Sequence, residues 1–271
     1  MLAIKNNIMA ANAARHLGTS YDALAKSVER LSSGLRINSS KDDAAGLAVR
    51  ELMRADIAVL QQGNRNAQDG ISMLQTMEGA LSVVDEALIR MKELAEQAAT
   101  GSYSPEQRRT MNAEFQEMAN EIDRIATVTD FNGIKMLNSA GATAKVTIHF
   151  GVGSYVDVNM VKMTKAGLGL DTLSIASTGS AISALGTIST AIGTKDSARA
   201  SFGYKMNRLE SSASVLGIQA ENLATAESRI SDVDVATEMA AMTRNQVLAQ
   251  AGVSMLAQAN SLPQMALTLL R

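Results

Sequence analysis

Apolar residues recur along most of this chain at alternating steps of three and four positions, the spacing that places them on one face of an α-helix. In the N-terminal segment this apolar stripe runs through Leu17, Tyr21, Leu24, Val28, Leu31 and Leu35. Between Ser32 and Asp43 the stripe gives way to Ser, Gly, Asn and charged residues. The pattern predicts an N-terminal helix with a coiled-coil seam, followed by a loop.

A longer stripe predicts a single helix from about Ala44 to Ala99. Its positions are Ile57, Leu60, Asn64, Ala67, Ile71 and Leu74, followed after a slip in register by Met77, Leu81, Val84, Leu88 and Met91. Gly63, Gly70 and Gly79 lie inside this helix, where a glycine costs about 1 kcal/mol relative to alanine. Either packing offsets that cost, or the glycines mark places where another helix approaches closely.

The next segment carries several signals of a helix start. Ser104 is suited to cap the helix, Pro105 fits the first helical position, and Gln107 can complete a capping box with Ser104. The turn residues from Thr129 to Gly133 are expected to end this third helix.

In the middle of the chain the period changes from that of a helix to that of a strand. Two runs alternate between apolar and polar residues, and their apolar members are Val146, Ile148 and Phe150, then Val156, Val158 and Met160. A turn containing Gly151 and Gly153 separates the runs. This pattern predicts a β-hairpin at about residues 145–160.

The C-terminal part again has a helical period. Its stripe runs through Phe202, Met206, Leu209, Ala213, Leu216, Ala220 and Leu223, and after Asp234 through Val235, Met239, Met242, Gln246, Ala249, Val253 and Leu256. Helices this long present more apolar edge than one chain can cover. The predicted fold is therefore mainly α, a long antiparallel coiled-coil bundle of the N- and C-terminal segments with a small β-hairpin in the middle. The two ends are expected to pair with each other and then with neighbouring copies.

Composition narrows the function classes. Of the 271 residues 46% are hydrophobic but only 3% are aromatic, so the core must consist of small and aliphatic side chains and Met. The net charge is −2 with no basic stripe, so we expect no nucleic-acid partner. There is no cysteine, and no apolar run approaches the roughly 18 residues of a membrane-spanning helix, so we expect no disulfide and no membrane partner. The N-terminus also lacks the pattern of a general secretory signal.

Candidate catalytic chemistry is sparse, and the sequence predicts that this chain is not an enzyme and needs no metal or cofactor. The histidines are His16 on a predicted helix and His149 on a predicted strand, and neither lies near a carboxylate at ligand spacing. The His-Glu-x-x-His signature of zinc proteases is absent. The acidic pairs at Asp42 and Asp43, and at Asp232 and Asp234, are interpreted as helix starts, where carboxylates favour the positive end of the helix dipole.

Two long stretches carry a family resemblance. The first is Glu-Arg-Leu-Ser-Ser-Gly-Leu-Arg-Ile-Asn-Ser-Ser-Lys-Asp-Asp-Ala-Ala-Gly at residues 29–46. The second is Ala-Glu-Ser-Arg-Ile-Ser-Asp-Val-Asp-Val-Ala-Thr-Glu-Met at 226–239, followed by Gln-Ala-Gly-Val-Ser-Met-Leu-Ala-Gln-Ala-Asn at 250–260 and the Leu-Leu-Arg end. Both resemble bacterial flagellin, the subunit of the flagellar filament, and the resemblance covers roughly residues 1–138 and 195–271.

The resemblance implies a domain layout and a function. An inner terminal coiled-coil domain would comprise residues 1–43 and 231–271, and an outer helical bundle with the hairpin would comprise 44–230. The segment 139–194 is too short for the variable outer domains of many flagellins, so a short form is expected. The chain would polymerise into an extracellular filament for swimming. Implied partners are other copies of itself, an export chaperone, the type III export apparatus, and hook-associated junction and cap proteins.

The resemblance also implies specific contact residues. Arg90, Leu94 and Glu114 match positions at which some flagellins contact Toll-like receptor 5, although packing between subunits is the main role expected of them. With a spacing of four, Arg90 and Leu94 would share a helix face. Near the C-terminus, candidates for packing, chaperone binding and recognition by a cytosolic immune sensor are Leu267, Leu269, Leu270 and Arg271.

Other functions remain as alternatives. A hook–filament junction protein shares related end motifs, but the unbroken flagellin-like runs at both ends disfavour it. An adhesin is disfavoured by the short middle segment. An immune-receptor ligand or an enzyme would each need a surface or a set of side chains that the sequence does not single out on its own.

Overall fold

The computed structural model describes residues 7–138, 145–151 and 153–269. The elements in chain order are α1 (Ile8–Ser33), α2 (Ala44–Ala99), α3 (Pro105–Val128), β1 (Lys145–Gly151), β2 (Ser154–Asn159), α4 (Thr178–Ser231) and α5 (Val235–Leu269). The mainly helical fold with a small two-stranded hairpin confirms the fold class predicted from periodicity. The helix predicted over Ala44–Ala99 has those same bounds in the structure.

The chain divides into two compact units. Unit 1 comprises Met1–Ile57 with Glu221–Arg271, and unit 2 comprises Ala58–Ala220. Unit 2 holds nearly all of the buried apolar side chains that the structure describes, and its core includes Leu74, Leu81, Leu88, Phe115, Ile122, Ile188 and Phe202. The helical parts of unit 2 therefore fold around an interior of their own.

Within unit 2, α2 and α4 run antiparallel. Three contacts follow each other in opposite directions along the two helices: Gly70 with Leu209, Glu78 with Arg199, and Asp85 with Lys195. Lys195 is almost completely buried, with 2% of the side chain exposed, and its ammonium binds the carboxylates of Asp85 and Asp196. Burial alone would lower the pKa of Lys195, but the hydrogen bonds to Asp196 and Asp85 outweigh burial and raise that pKa.

The hairpin of β1 and β2 packs against α2 in unit 2. Val146 pairs with Val158 and Ile148 pairs with Val156, so alternate side chains of both strands face the same side. The buried members of this face are Ile148, Phe150, Val156 and Val158. The predicted alternation is thus confirmed, although β2 ends at Asn159 and Met160 lies beyond it.

Two of the glycines of α2 mark close approaches, by strand β1 at Gly63 and Gly70 and also by Leu209 of α4 at Gly70. A Cβ at Gly63 would lie 2.8 Å from the carbonyl carbon of Phe150, and one at Gly70 would lie 3.2 Å from Cγ1 of Ile148. Nothing lies within 4 Å of such an atom at Gly79. Two of the three glycines therefore allow β1 to lie directly on the helix.

The ends of α2 and α3 are satisfied by side chains. Ser104 and Gln107 form the predicted capping box at the start of α3. Arg108 donates from Nε to the carbonyl oxygen of Ala98 and from Nη2 to that of Thr100, both over 2.9 Å. These bonds satisfy carbonyl groups at the C-terminal end of α2, where a cation is also favoured by the helix dipole.

Candidate assembly surface

In unit 1, α1 and α5 form an antiparallel pair. The contacts that define this pairing, in order along α1 and the segment after it, are Asn7 with Ala259, Leu17 with Gly252, Arg30 with Glu238 and Leu35 with Asp232. Asn7 caps α1 by accepting a hydrogen bond from the Ala10 amide, and it donates from Nδ2 to the Ala259 carbonyl oxygen over 2.8 Å. One side chain thus fixes both the start of α1 and its register against α5.

The α1–α5 contact is built on small residues. Ser27 on α1 and Ala249 and Ala259 on α5 are buried, and Gly252 lies against Leu17. Small side chains let two helices approach closely.

This seam corrects the predicted one on both helices. On α1, Tyr21 and Val28 belong to the predicted stripe but are 52% and 50% exposed, while Leu17, Leu24 and Leu31 are half-buried. On α5, predicted members such as Met239 and Val253 are exposed. The stripes merge two adjacent helix faces, because the face that pairs within the chain combines these leucines with small residues such as Ser27 and Gly252, which carry little apolar signal.

Large apolar side chains lie on the surface of α5 outside its buried contact with α1. The exposed ones are Val235, Met239, Val247, Leu248, Val253 and Met255. A helix that is apolar on all sides is normally enclosed, either in a large core or in a membrane. Among the helices that the structure describes, none has an apolar stretch long and uncharged enough to cross a membrane.

Unit 1 has almost no interior of its own. Among its described residues only Ile37, Ala249 and Ala259 are buried apolar side chains. The exposed apolar residues of α1 include Ile8 and Met9 as well as Tyr21 and Val28. The pair therefore leaves much of its apolar surface in water.

One side of the pair forms an open groove of about 600 Å³. We call it the α1–α5 groove, and it is lined by Met9, His16 and Leu17 of α1 and by Leu248, Gly252 and Met255 of α5. Tyr21 and Val28 lie on the other side of the α1 seam, because successive residues of an α-helix turn by about 100°. We call these two residues the α1 ridge. The pair thus has an apolar groove on one side and an apolar ridge on the other.

The segment after α1 is ordered by hydrogen bonds to the end of α4 and to the linker between α4 and α5. Gly34 ends α1 in the left-handed region with φ of 74°, which glycine adopts without strain. Its carbonyl oxygen accepts a bond from the Val233 amide, and the Arg36 amide donates to the Ser231 carbonyl oxygen. The Arg36 guanidinium also donates to the carbonyl oxygen of Ile230, over 2.7 Å from Nη2. The predicted loop is therefore a fixed connection within unit 1.

Charged side chains hold the rest of this loop. Asp42 accepts hydrogen bonds from the Asn38 and Ser39 amides and lies 2.7 Å from the ammonium of Lys26. The contact with Lys26, followed by the two amide bonds, lowers the pKa of the Asp42 carboxyl. Buried Arg50 donates from Nη1 to the Ile37 carbonyl oxygen over 2.7 Å. Sequence reasoning missed the role of Arg50, since no local pattern marks an arginine that will be buried.

One member of each acidic pair marks a helix start, as the sequence indicated, whereas Asp42 holds the loop before α2. Asp43 accepts a hydrogen bond from the Gly46 amide at the start of α2, and Asp234 accepts from the Ala236 and Thr237 amides at the start of α5. Within the described ranges, no group of three or more His, Asp or Glu side chains is arranged to hold a metal ion. His16 lies in the α1–α5 groove and His149 on β1, next to Tyr155.

The structure brings two of the three receptor-contact candidates together. Arg90 of α2 binds Glu114 of α3 through Nη2 over 2.8 Å and Glu93 through Nη1 over 3.1 Å, and both Arg90 and Glu114 are exposed. The hydrogen bond to Glu114, and then that to Glu93, raises the pKa of Arg90. Leu94 does not share this surface, since only 2% of it is exposed and it belongs to the core of unit 2.

The C-terminal candidates lie at the end of α5. Leu267 and Leu269 belong to the helix, but their side chains are outside what the structure describes. Leu270 and Arg271 lie outside the described residues. Their roles remain predictions.

Comparison with known proteins identifies the family to which this arrangement belongs. The model of the bacterial flagellin N-terminal helical region matches residues 4–142, and that of the bacterial flagellin C-terminal helical region matches residues 185–270. The flagellin of Halalkalibacterium halodurans is 42% identical over 270 residues, which cover 99% of each chain. The flagellar filament 30.7 kDa core protein of Treponema maltophilum is 42% identical over 282 residues, covering 98% of this chain and 99% of that one.

A solved structure is also similar. The crystal structure of Bacillus cereus flagellin is 31% identical, has a TM-score of 0.52, and covers 60% of this chain and 94% of that chain. Because the alignment to the Halalkalibacterium protein spans almost the whole of both chains, the short form expected from the sequence is confirmed. The prediction that the chain is not an enzyme is also confirmed, because the matched family is structural. This chain belongs to the bacterial flagellin family.

Proposed function

We propose that this chain polymerises through its α1–α5 pair into the helical filament of the bacterial flagellum. The observation that carries the proposal is the large apolar surface that α5 and α1 leave exposed outside their contact with each other. Covering such a surface with further copies contributes roughly 25 cal/mol for each Å² of apolar area. A contact between two different surfaces of the same molecule does not close on itself and gives an open helical polymer.

The layout of the polymer is part of this proposal. Residues 1–43 and 231–271 would form the inner layer around a central channel, and residues 44–230 would surround it. Unit 2, with its own core, suits a rigid outer layer, and unit 1 suits a layer that is completed by neighbours. The terminal helices would become stable only when neighbouring copies enclose them.

The biological setting follows from the same family. The subunit would leave the cell through the flagellar type III export apparatus, with a dedicated chaperone, and would add to the filament outside the cell beside hook-associated junction and cap proteins. The filament would transmit the torque of a rotary motor for swimming. We propose that Leu267, Leu269, Leu270 and Arg271 pack in the inner layer and also contact the chaperone and a cytosolic immune sensor.

A charge on the outer face of α5 tests the proposal. We expect Val253→Glu to leave unit 2 folded and to abolish polymerisation, because Val253 is exposed in the single chain and would be buried between copies. The matched control is Gln250→Glu, which places the same charge at an exposed polar position of α5. The measurements are light scattering during polymerisation and electron microscopy. Normal filaments from Val253→Glu would contradict the proposed surface.

A truncation gives an independent test. Removing residues 231–271 deletes α5 and should give a chain whose unit 2 is folded but which does not elongate into filaments. Circular dichroism of the truncated chain monitors the remaining helices. If this chain formed normal filaments, assembly would not depend on the α1–α5 pair.

Recognition by Toll-like receptor 5 is a second proposed role, in addition to the subunit packing expected of the exposed pair of Arg90 and Glu114. Arg90→Ala is expected to weaken polymerisation through lost packing and to weaken receptor signalling by the soluble chain. Leu94→Ala is expected to act through the stability of unit 2, because Leu94 is buried. Signalling unchanged by Arg90→Ala and by Glu114→Ala would remove this role.

A further inference from the structure

Two exposed methionines from different helices meet in the α1–α5 groove. Met9 of α1 is 64% exposed and Met255 of α5 is 63% exposed, and both line this groove. Most other methionines that the structure describes are partly or fully covered; the completely buried ones are Met73, Met77, Met91, Met136 and Met163 of unit 2. Met239, on another face of α5, is exposed to a lesser degree. The thioether sulfurs of Met9 and Met255 are therefore open to small reagents in the unassembled chain.

We propose that Met9 and Met255 form an oxidation site, at which a hydroperoxide converts both thioethers to sulfoxides and thereby prevents a second copy of this chain from docking in the groove. The proposal rests on the proposed function, because the second copy is the occupant. In each step the methionine sulfur attacks one oxygen of hydrogen peroxide. The sulfur–oxygen bond forms as the oxygen–oxygen bond breaks, the sulfur is oxidised, and the other oxygen leaves as water.

The surfaces of the same helix pair indicate a second copy as the occupant. The α1 ridge, formed by Tyr21 and Val28, is exposed and apolar, and the 100° turn per residue places it on the other side of the α1 seam from Met9 and His16. A groove on one side and a ridge on the other let each copy receive one neighbour and enter the next, which is an open arrangement. No Asp, Glu, Lys or Arg lines the groove, so apolar contact is the attraction that it offers.

A sulfoxide in the groove would have few hydrogen-bond donors once water is excluded, since only the side-chain N–H groups of Asn12 and His16 could serve it. Thr19 and Ser20 also line the groove, but their hydroxyls already donate to the main-chain oxygen of His16, over 2.8 Å and 3.0 Å. The unmodified thioether, in contrast, is apolar and flexible and adapts to the surface that enters. Burial of the polar sulfoxide oxygen in place of the apolar thioether disfavours the assembled state. Assembly would in turn cover both sulfurs and protect them.

The first test follows the oxidised chain itself. Purified full-length protein is treated with limiting hydrogen peroxide, the peroxide is removed, and polymerisation is started. Peptide mass spectrometry then measures sulfoxide at each of the 16 methionines in the pelleted filaments and in the supernatant. We expect sulfoxide at Met9 and Met255 to be depleted in filaments by at least about tenfold relative to the supernatant, a ratio equivalent to about 1.4 kcal/mol. Equal fractions of sulfoxide in filaments and in the supernatant, at both Met9 and Met255, would overturn the inference.

The second test uses leucine, which has nearly the volume of methionine but no sulfur to oxidise. The double variant Met9→Leu with Met255→Leu is expected to polymerise before and after peroxide treatment. The control variants Met239→Leu and Met73→Leu should remain as sensitive to peroxide as the unaltered protein. Equal sensitivity of the double variant would overturn the inference. If leucine itself prevented assembly, the partition of sulfoxide in the unaltered protein would decide.

The two proposals fail in different ways. If untreated protein did not polymerise, the proposed function would be wrong, and the inference that rests on it would be wrong as well. If untreated protein polymerised and oxidised chains entered filaments freely, only the inference would fail. Filaments treated with peroxide after assembly should show less sulfoxide at Met9 and Met255 than unassembled chains treated in the same way.

Discussion

Gly63 of α2 lies directly against the main chain of Phe150 in β1, so close that a Cβ at Gly63 would be 2.8 Å from the Phe150 carbonyl carbon. Neither backbone can move freely, because Phe150 is buried and α2 continues in both directions. We expect Gly63→Ala to lower the free energy of unfolding of unit 2 by about 1–3 kcal/mol, the usual cost of overpacking. Denaturant unfolding followed by circular dichroism measures this change.

Gly79 provides the matched control in the same helix. It is exposed, and nothing lies within 4 Å of a Cβ placed there. Gly79→Ala should therefore raise the free energy of unfolding by up to about 1 kcal/mol, because alanine favours the helix. Equal effects of the two substitutions would mean that the strand does not pack on α2 at Gly63.

Lys195 makes unit 2 sensitive to alkali. Its pKa is higher in the folded chain than the usual 10.5, because its bonds to Asp196 and Asp85 outweigh its burial. A group whose pKa is raised by folding stabilises the fold fully below its unfolded pKa and loses that contribution as the pH rises through the folded value. We therefore expect part of the stability of unit 2 to be lost above about pH 10.5, and Lys195→Met to remove this part of the pH dependence.

The pH dependence is measured as the free energy of unfolding from pH 8 to pH 12 for the unaltered chain and for Lys195→Met. Lys92 on α2 is exposed, so Lys92→Met is the control and should retain the alkaline loss. Identical curves for Lys195→Met and the unaltered chain would show that the bonds of Lys195 contribute no stability.

Asp42 makes the loop after α1 sensitive to acid. The contact with Lys26 and the bonds from the Asn38 and Ser39 amides lower its pKa below the usual 3.8. A lowered pKa means that the carboxylate stabilises the loop above about pH 3.8 and that this contribution is lost as the pH falls through the folded value. We expect amide hydrogen exchange at Ser39 to accelerate in that range. In Asp42→Asn the amide should be less protected at pH 6, and Lys41→Gln serves as a neighbouring control.

The sequence predicted the elements of this fold well, because each has a local cause. The capping box at Ser104 fixed the start of α3, and the alternation around Ile148 identified the hairpin. Contacts between distant residues had no such local signal. The contact of Lys195 with Asp85 joins residues 110 positions apart, and that of Arg50 with Ile37 joins residues 13 positions apart across the loop, so periodicity could show neither.

The candidate site was predicted only in part for a related reason. The sequence indicated that the ends pair and leave apolar surface for neighbours, and the structure has such a surface. The sequence could not separate the face of α1 that meets α5 from the face that is exposed. Tyr21 and Val28 are more hydrophobic than Ser20 and Ser27, so a hydrophobic pattern includes the exposed residues and omits the serines. Two helices approach closely where their side chains are small, and a pattern of large apolar residues does not detect such positions.

Ser27 tests the inner seam. It is buried between α1 and α5, so Ser27→Val would force the helices apart and is expected to cost about 1–3 kcal/mol in each subunit. The measurement is the melting temperature of assembled filaments, with Ser27→Ala as the control that keeps the side chain small. Filaments of Ser27→Val that melt like those of the control would show that the pair is not closely packed at this position.

Val28 tests the outer surface, one residue further along the same helix. It is exposed in the single chain, so Val28→Ser should leave the stability of unit 2 unchanged. If the α1 ridge enters a neighbouring copy, the substitution removes roughly 1–2 kcal/mol of apolar burial from each subunit contact. The protein concentration required for polymerisation should then rise by roughly tenfold, since about 1.4 kcal/mol corresponds to that factor.

Sedimentation of filaments at a series of protein concentrations measures this threshold. Val28→Ile keeps the surface apolar and should polymerise at the original concentration. An unchanged threshold in Val28→Ser would place the contact between copies on another face of the pair.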